Sequence, residues 1–313
     1  MMDKSIDVPE RLALKGVGRR DFMKFCGFVA TVLGLPMTFA PRIAEAVATK
    51  RPTVVWLSMA ECTGCTESLI RTANPWIADI ILNTIDLAYN DTLMAAAGEQ
   101  AEHVFDETIK KHKGKYICIV DGAIPTKDNG AYGKISGKTM IEVVNKGAKN
   151  AAAVICVGNC ASYGGLPAAK PNPTEAKTVT EVTGIKTVNL AGCPPNADNM
   201  VATIVHLLLL GKLPAVDEHG RPLFAYGQLI HDNCERRGHY EAEEFVKEFG
   251  DEGATKGWCL RKVGCNGPET HSNCPKIRWN QGTNWPIGAG HPCIGCVEPH
   301  FWDNMSPFYV ERS

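Results

Sequence analysis

Neither sign of charge prevails in this chain of 313 residues: Lys and Arg number 33, Asp and Glu 34. That balance excludes a field strong enough to draw the chain to nucleic acid or to anionic lipid. Long apolar runs are missing too. A membrane-spanning helix needs about 20 consecutive apolar residues. Phe25 to Ala40 is interrupted by Gly27, Gly34 and Pro36, and Met200 to Leu210 is too short. The chain closes on FYVERS without an apolar tail, so a soluble mature protein with no permanent membrane anchor is expected.

The N-terminus carries a signal of its own. Gly18-Arg19-Arg20-Asp21-Phe22-Met23-Lys24 has the form of a twin-arginine export motif. The interrupted apolar run follows, then small-residue cleavage sites at Ala44-Glu45-Ala46 and Ala46-Val47-Ala48. Residues 1–48 therefore read as an export leader, and the mature protein as periplasmic. Cysteines in an oxidising compartment normally pair as disulfides. The twin-arginine route carries proteins already folded, however, so clusters inserted beforehand would arrive with their thiolates occupied. Without the leader, the chain is long enough for one large domain or two ordinary ones.

Cysteine is abundant, at thirteen, and ten of these fall into three groups. The first comprises Cys62 and Cys65 in ECTGCTES, Cys160 in VGNCASYGG and Cys193 in AGCPPN. The second joins His231 and Cys234 in IHDNC to Cys259 and Cys265 in WCLRKVGC. The third holds Cys274 in NCPK with Cys293 and Cys296 in HPCIGC, one cysteine short of four. Thiolates in such numbers, with one imidazole, are ligands of soft-metal clusters, and three clusters suggest a path for electrons.

From Pro52 to about Lys212, short apolar runs alternate with helical stretches. Strands are predicted at Thr53–Ser58, within Ile80–Ala88, and at Tyr116–Val120, Ala152–Val157 and Thr187–Ala191. Helices are predicted at Thr66–Arg71, Leu93–Lys111, Thr139–Lys146 and Ala197–Leu210. This is the pattern of an α/β fold with a parallel sheet covered on both faces. Cys62 and Cys65 follow the first strand, Cys160 the fourth and Cys193 the fifth. In open parallel sheets, ligands gather beyond the carboxyl ends of the strands, so these four can converge. Residues 214–313 are rich in Gly, Pro, His, Asn and Cys and show little periodicity outside Tyr240–Phe249. So little apolar material needs staples, which metal ligation supplies. Domains are accordingly expected at 49–213 and 214–313.

Each group admits plainer chemistry. Cys62-Thr63-Gly64-Cys65 could be a redox dithiol, or a structural zinc site completed by Cys160 and Cys193. Three thiolates and His231 also suit zinc. The third group suits a 3Fe–4S cluster, although His291 could complete a tetrahedral zinc site there. Cys118 and Cys156 lie within apolar strands and read as core residues.

Taken together, ECTGCTES, VGNCASYGG, AGCPPN, IHDNC, GWCLRKVGC, NCPKIRWN and GHPCIGCVEPHFWD resemble the small subunit of the periplasmic nickel–iron hydrogenases, in order and over nearly the whole chain. The resemblance implies a flavodoxin-like domain followed by an irregular cluster-binding domain. It implies a proximal 4Fe–4S cluster on Cys62, Cys65, Cys160 and Cys193, and a distal 4Fe–4S cluster on His231, Cys234, Cys259 and Cys265. It also implies a medial 3Fe–4S cluster on Cys274, Cys293 and Cys296, because the selenium-containing branch has a cysteine where Pro286 stands here. The oxygen-tolerant branch has extra cysteines at positions matching Gly64 and Gly165, so oxygen sensitivity is expected. The nickel–iron centre is expected in a partner large subunit, and a soluble multihaem c-type cytochrome as electron acceptor.

Overall fold

The computed structural model describes residues 19–49, 51–72 and 85–311. Five parallel strands form the central sheet: β1 (Thr53–Ser58), β2 (Asp86–Asn90), β3 (Ile117–Asp121), β4 (Ala153–Val157) and β5 (Val188–Leu190), in the spatial order β2-β1-β3-β4-β5. That order is the flavodoxin-like one, whose switch point lies between β1 and β3. Seven helices matter here: α1 (Arg19–Val32), α2 (Ala40–Thr49), α3 (Gly64–Ile70), α4 (Glu99–Lys111), α5 (Met140–Ala148), α6 (Gly158–Tyr163) and α7 (Ala197–Leu210).

Side chains alternate across a strand, so each strand feeds two cores. Val54, Trp56, Ile117, Ile119, Ile155, Val157, Val188 and Leu190 face α7. Val55, Leu57, Cys118, Val120, Val154 and Cys156 face α4 and α5. Cys118 and Cys156 are fully buried there, as core residues should be. α1 and α2 lie against α7 and bury Phe25, Cys26, Val29, Ile43 and Val47 in the same cluster as the sheet's α7 face. Gly34, at φ +67°, and Pro36 break the apolar run between these two helices. No helix among the described residues is long and apolar enough to cross a membrane.

Several element bounds differ from the sequence reading. Residues 80–84 of the second strand lie outside the described residues, and the strand runs on to Asn90. α4 starts at Glu99 rather than Leu93, because the Asn90 side chain accepts the N–H groups of Thr92 and Leu93 in a turn and Gly98 precedes the helix. α5 starts where a capping box closes: Thr139 Oγ1 accepts the Glu142 N–H, and Glu142 accepts the Thr139 N–H. Periodicity at Tyr240–Phe249 yields no long helix. Arg237–Glu241 forms a short one, Glu243 turns left-handed at φ +58°, and Phe245 pairs with Cys259.

After α7 the chain is built of short helical turns around a third cluster: Ile230, Val246, Leu260, Val263, Trp285 and Ile287 with Cys265, Cys274 and Cys293. A third of that buried set is cysteine. This part is tied to the sheet by buried polar links. Tyr226 Oη donates to the Ala191 carbonyl at 2.7 Å, and Asn159 Nδ2 donates to the Glu298 carbonyl at 3.1 Å. Arg221, 2% exposed, bridges Asp217 at 2.7 Å and Glu298 at 3.0 Å.

Candidate metal centres

The sheet's carboxyl edge positions the first four cysteines. Cys62 and Cys65 leave β1 into α3, Cys160 lies in α6 after β4, and Cys193 follows β5. Their thiols interact with one another across this edge. Glycines make the close approach possible. A Cβ at Gly158, φ +88°, would sit 2.4 Å from Cys65 Sγ, and one at Gly165, φ +53°, would sit 2.6 Å from Cys160 Sγ. Both positions also require left-handed backbone, which glycine alone adopts at little cost. Cys65 is buried and Cys160 partly so, while Cys62 and Cys193 are exposed, so this set opens to the surface.

His231, Cys234, Cys259 and Cys265 line one cavity together with Ile230, Leu260 and Ile287. His231 is half-buried, with the Tyr240 ring edge-on at 4.7 Å. Burial, then the nearby Arg237, lowers its pKa and favours the neutral imidazole that binds metal. Cys274 and Cys293 are buried and Cys296 partly so, and Cys296 interacts with both others. Pro286 is exposed between buried Trp285 and Ile287, and its carbonyl accepts the His291 N–H at 2.9 Å.

Consecutive sets touch. The Cys293 N–H donates to Cys265 Sγ at 3.4 Å. Cys193 and Cys296 likewise lie near enough for their sulfurs to interact. A ligand loop of the medial set thus supplies a donor to the distal one.

The chemistry of the donors decides which occupant fits. Burial pushes the free thiols up, Cys160 and Cys296 to about 12 and Cys265 to about 11. Bare, these crowded thiols would be protonated, whereas bound iron supplies the positive charge that holds thiolates in an apolar wall. All thirteen cysteines are free of disulfides. Among the described residues, no three His, Cys, Asp or Glu side chains close on a point as a single-ion site would. The residues present fit a larger group, an iron–sulfur cluster.

Sequence reasoning passed over several neighbours. Asp121, at the carboxyl end of β3, faces Cys65, and burial, then Glu61, pushes its carboxyl up to about 7. Position at a strand end was the one available signal for Asp121. Arg221, Glu298, Ser272 and Trp279 gave none.

Fold and site together define an iron–sulfur electron-transfer protein on a flavodoxin-like sheet. Residues 62–207 match the family model of the 20 Kd subunit of NADH ubiquinone oxidoreductase, and residues 226–309 match that of the C-terminal part of the NiFe/NiFeSe hydrogenase small subunit. The periplasmic [NiFe] hydrogenase small subunit of Solidesulfovibrio fructosivorans is 53% identical over 306 residues, 97% of this chain and 96% of that one. The quinone-reactive Ni/Fe-hydrogenase small chain of Wolinella succinogenes is 52% identical over 298 residues, 94% of this chain and 84% of that one. In structure, the chain resembles one from a reduced, active Ni-Fe-Se hydrogenase of Desulfomicrobium baculatum. The TM-score is 0.78 at 39% identity, covering 84% of this chain and 100% of that one. The chain belongs to the family of nickel–iron hydrogenase small subunits, the electron-transferring partners of a hydrogenase large subunit.

Proposed function

We propose that this protein relays electrons from hydrogen oxidised in its large-subunit partner, H2 giving two protons and two electrons, reversibly, to a soluble multihaem c-type cytochrome. The proximal set, Cys62, Cys65, Cys160 and Cys193, and the distal set, His231, Cys234, Cys259 and Cys265, each hold a 4Fe–4S cluster. The medial set, Cys274, Cys293 and Cys296, holds a 3Fe–4S cluster, since three thiolates match its three irons. When bound, such clusters supply one-electron carriers in series. The chain's own residues do the rest. Exposed Cys62 and Cys193 give the partner access to one end, the apolar walls around Cys274 and Cys293 exclude water, and half-buried His231 leads to the surface at the other.

The observation that carries this reading is the succession of the sets, the Cys293 amide lying on the Cys265 sulfur and Cys193 lying beside Cys296. Iron and acid-labile sulfide assays with EPR on the purified heterodimer test it, and about eleven cluster irons are expected from two 4Fe–4S and one 3Fe–4S clusters. Stoichiometric zinc, or a colourless protein, would refute it.

The division of the chain follows: an export leader over residues 1–48, a flavodoxin-like domain over 49–213 and a cluster domain over 214–313. The twin-arginine motif directs the folded complex to the periplasm. Replacing Arg19 and Arg20 with lysine should strand activity in the cytoplasm, and normal periplasmic activity would count against that route. Gly165 leaves no room for the extra cysteine of the oxygen-tolerant branch, which supports an ordinary, oxygen-sensitive proximal cluster.

A further inference from the structure

We propose that Ser272 is a positioning residue that raises the reduction potential of the medial cluster by donating a hydrogen bond to Cys274. The inference rests on the reading that Cys274, Cys293 and Cys296 hold that cluster.

Ser272, 3% exposed, places Oγ 3.0 Å from Cys274 Sγ. The same Oγ accepts the Cys274 N–H at 3.2 Å, which leaves its own proton to point at the sulfur. Ser272 is itself held by its N–H on the Gln228 carbonyl at 3.0 Å.

The other sets are surrounded differently. Cys65 of the proximal set faces the Asp121 carboxyl. Sulfurs of the distal set take backbone N–H groups, Arg236 on Cys234 and Gly267 on Cys265, each at 3.4 Å. Thr270 approaches Cys293 of the medial set at 3.7 Å, but its hydroxyl donates to the Asn266 carbonyl at 2.5 Å. A close side-chain donor on a buried sulfur therefore marks Cys274.

The physical consequence concerns charge. Reduction adds one electron and breaks no bond, so the reduced group and its thiolates carry one more negative charge. Donors on a ligand sulfur stabilise that state over the oxidised one, and enclosure strengthens the effect. The Ser272 donor should shift the reduction equilibrium about tenfold, which for a one-electron couple is about 59 mV.

The test uses the intact heterodimer and an EPR-monitored redox titration of the 3Fe–4S signal. Ser272→Ala should lower the medial midpoint by about that amount, with the proximal and distal midpoints unmoved. Ser272→Thr, which keeps the hydroxyl, should return it toward the wild-type value. Unchanged midpoints with the signal intact would overturn the inference alone. A wild-type protein without the signal would overturn the underlying assignment and this inference with it.

Discussion

Removing the Arg221 guanidinium should loosen the whole molecule. Its side chain is 3% exposed and lies between Glu298, 10% exposed, and Asp217, 18% exposed. Arg221 also approaches the Val297 carbonyl at 3.4 Å, so it ties the segment after α7 to the loop carrying Cys296. Arg221→Met keeps the volume but abandons two carboxylates in a low-dielectric seam. Breaking a buried pair in this way costs about 3–5 kcal/mol, roughly a hundredfold or more in the folding equilibrium. Glu298 bears most of that cost, because Asp217 can regain water. Cluster loss is irreversible, so the assay is a rate: bleaching of the visible absorbance in guanidinium, extrapolated to water. Arg221→Met should bleach about a hundredfold faster. Adding Glu298→Gln, which removes the abandoned charge while still accepting the His271 N–H, should recover at least about a tenfold part of that loss. A single variant within about threefold of wild type would refute the claim that the buried pair holds these segments together.

Other residues offer narrower tests. Gly158→Ala forces a Cβ to 2.4 Å from Cys65 Sγ and should leave each chain short of the four irons of the proximal cluster, whereas Gly184→Ala, equally left-handed but with nothing within 4 Å, should not. Equal iron contents would show that backbone strain, and not crowding of the sulfur, decides. His231→Ala should slow hydrogen-driven reduction of an external acceptor while H/D exchange at the partner's metal persists, and loss of exchange would contradict a role in electron exit alone. Asp198, in the first turn of α7, is pushed up to about 6 by burial. Its folded pKa exceeds the unfolded value of about 3.9, so its contribution favours the fold at low pH and is lost as the pH rises through 6. Asp198→Asn should be neutral near pH 4 and stabilising by up to roughly 2–3 kcal/mol near pH 8. The same difference in Tm at both values would reject that assignment.

Strand placement was legible because a doubly covered parallel sheet writes itself as short apolar runs, and Thr53–Ser58 is buried at every position. Strand order was not, since periodicity says which residues are buried and nothing about which strands are neighbours; the order came from the resemblance alone. Helix starts were misplaced where one polar side chain decides them, as Asn90 does ahead of α4. Among the candidate ligands, spacing suggested the grouping. The groups that surround the sulfurs stayed hidden: Asp121 and Ser272 act through proximity made by the fold, and Gly158 and Gly165 look like ordinary turn glycines until a Cβ is placed on them.

The contacts that join consecutive sets bear on how the protein is filled and how it fails. Cys293 can hold its N–H on the Cys265 sulfur only while its own loop is in place, and Cys193 stays beside Cys296 on the same condition. Each loaded set therefore stiffens a wall of the next, and loading becomes cooperative along the row. Chains with all sets filled should outnumber chains with only one or two. Damage has the same direction built in, because Cys62 and Cys193 are the exposed members while Cys274 and Cys293 are buried. Attack at the open end would spread inward, set by set.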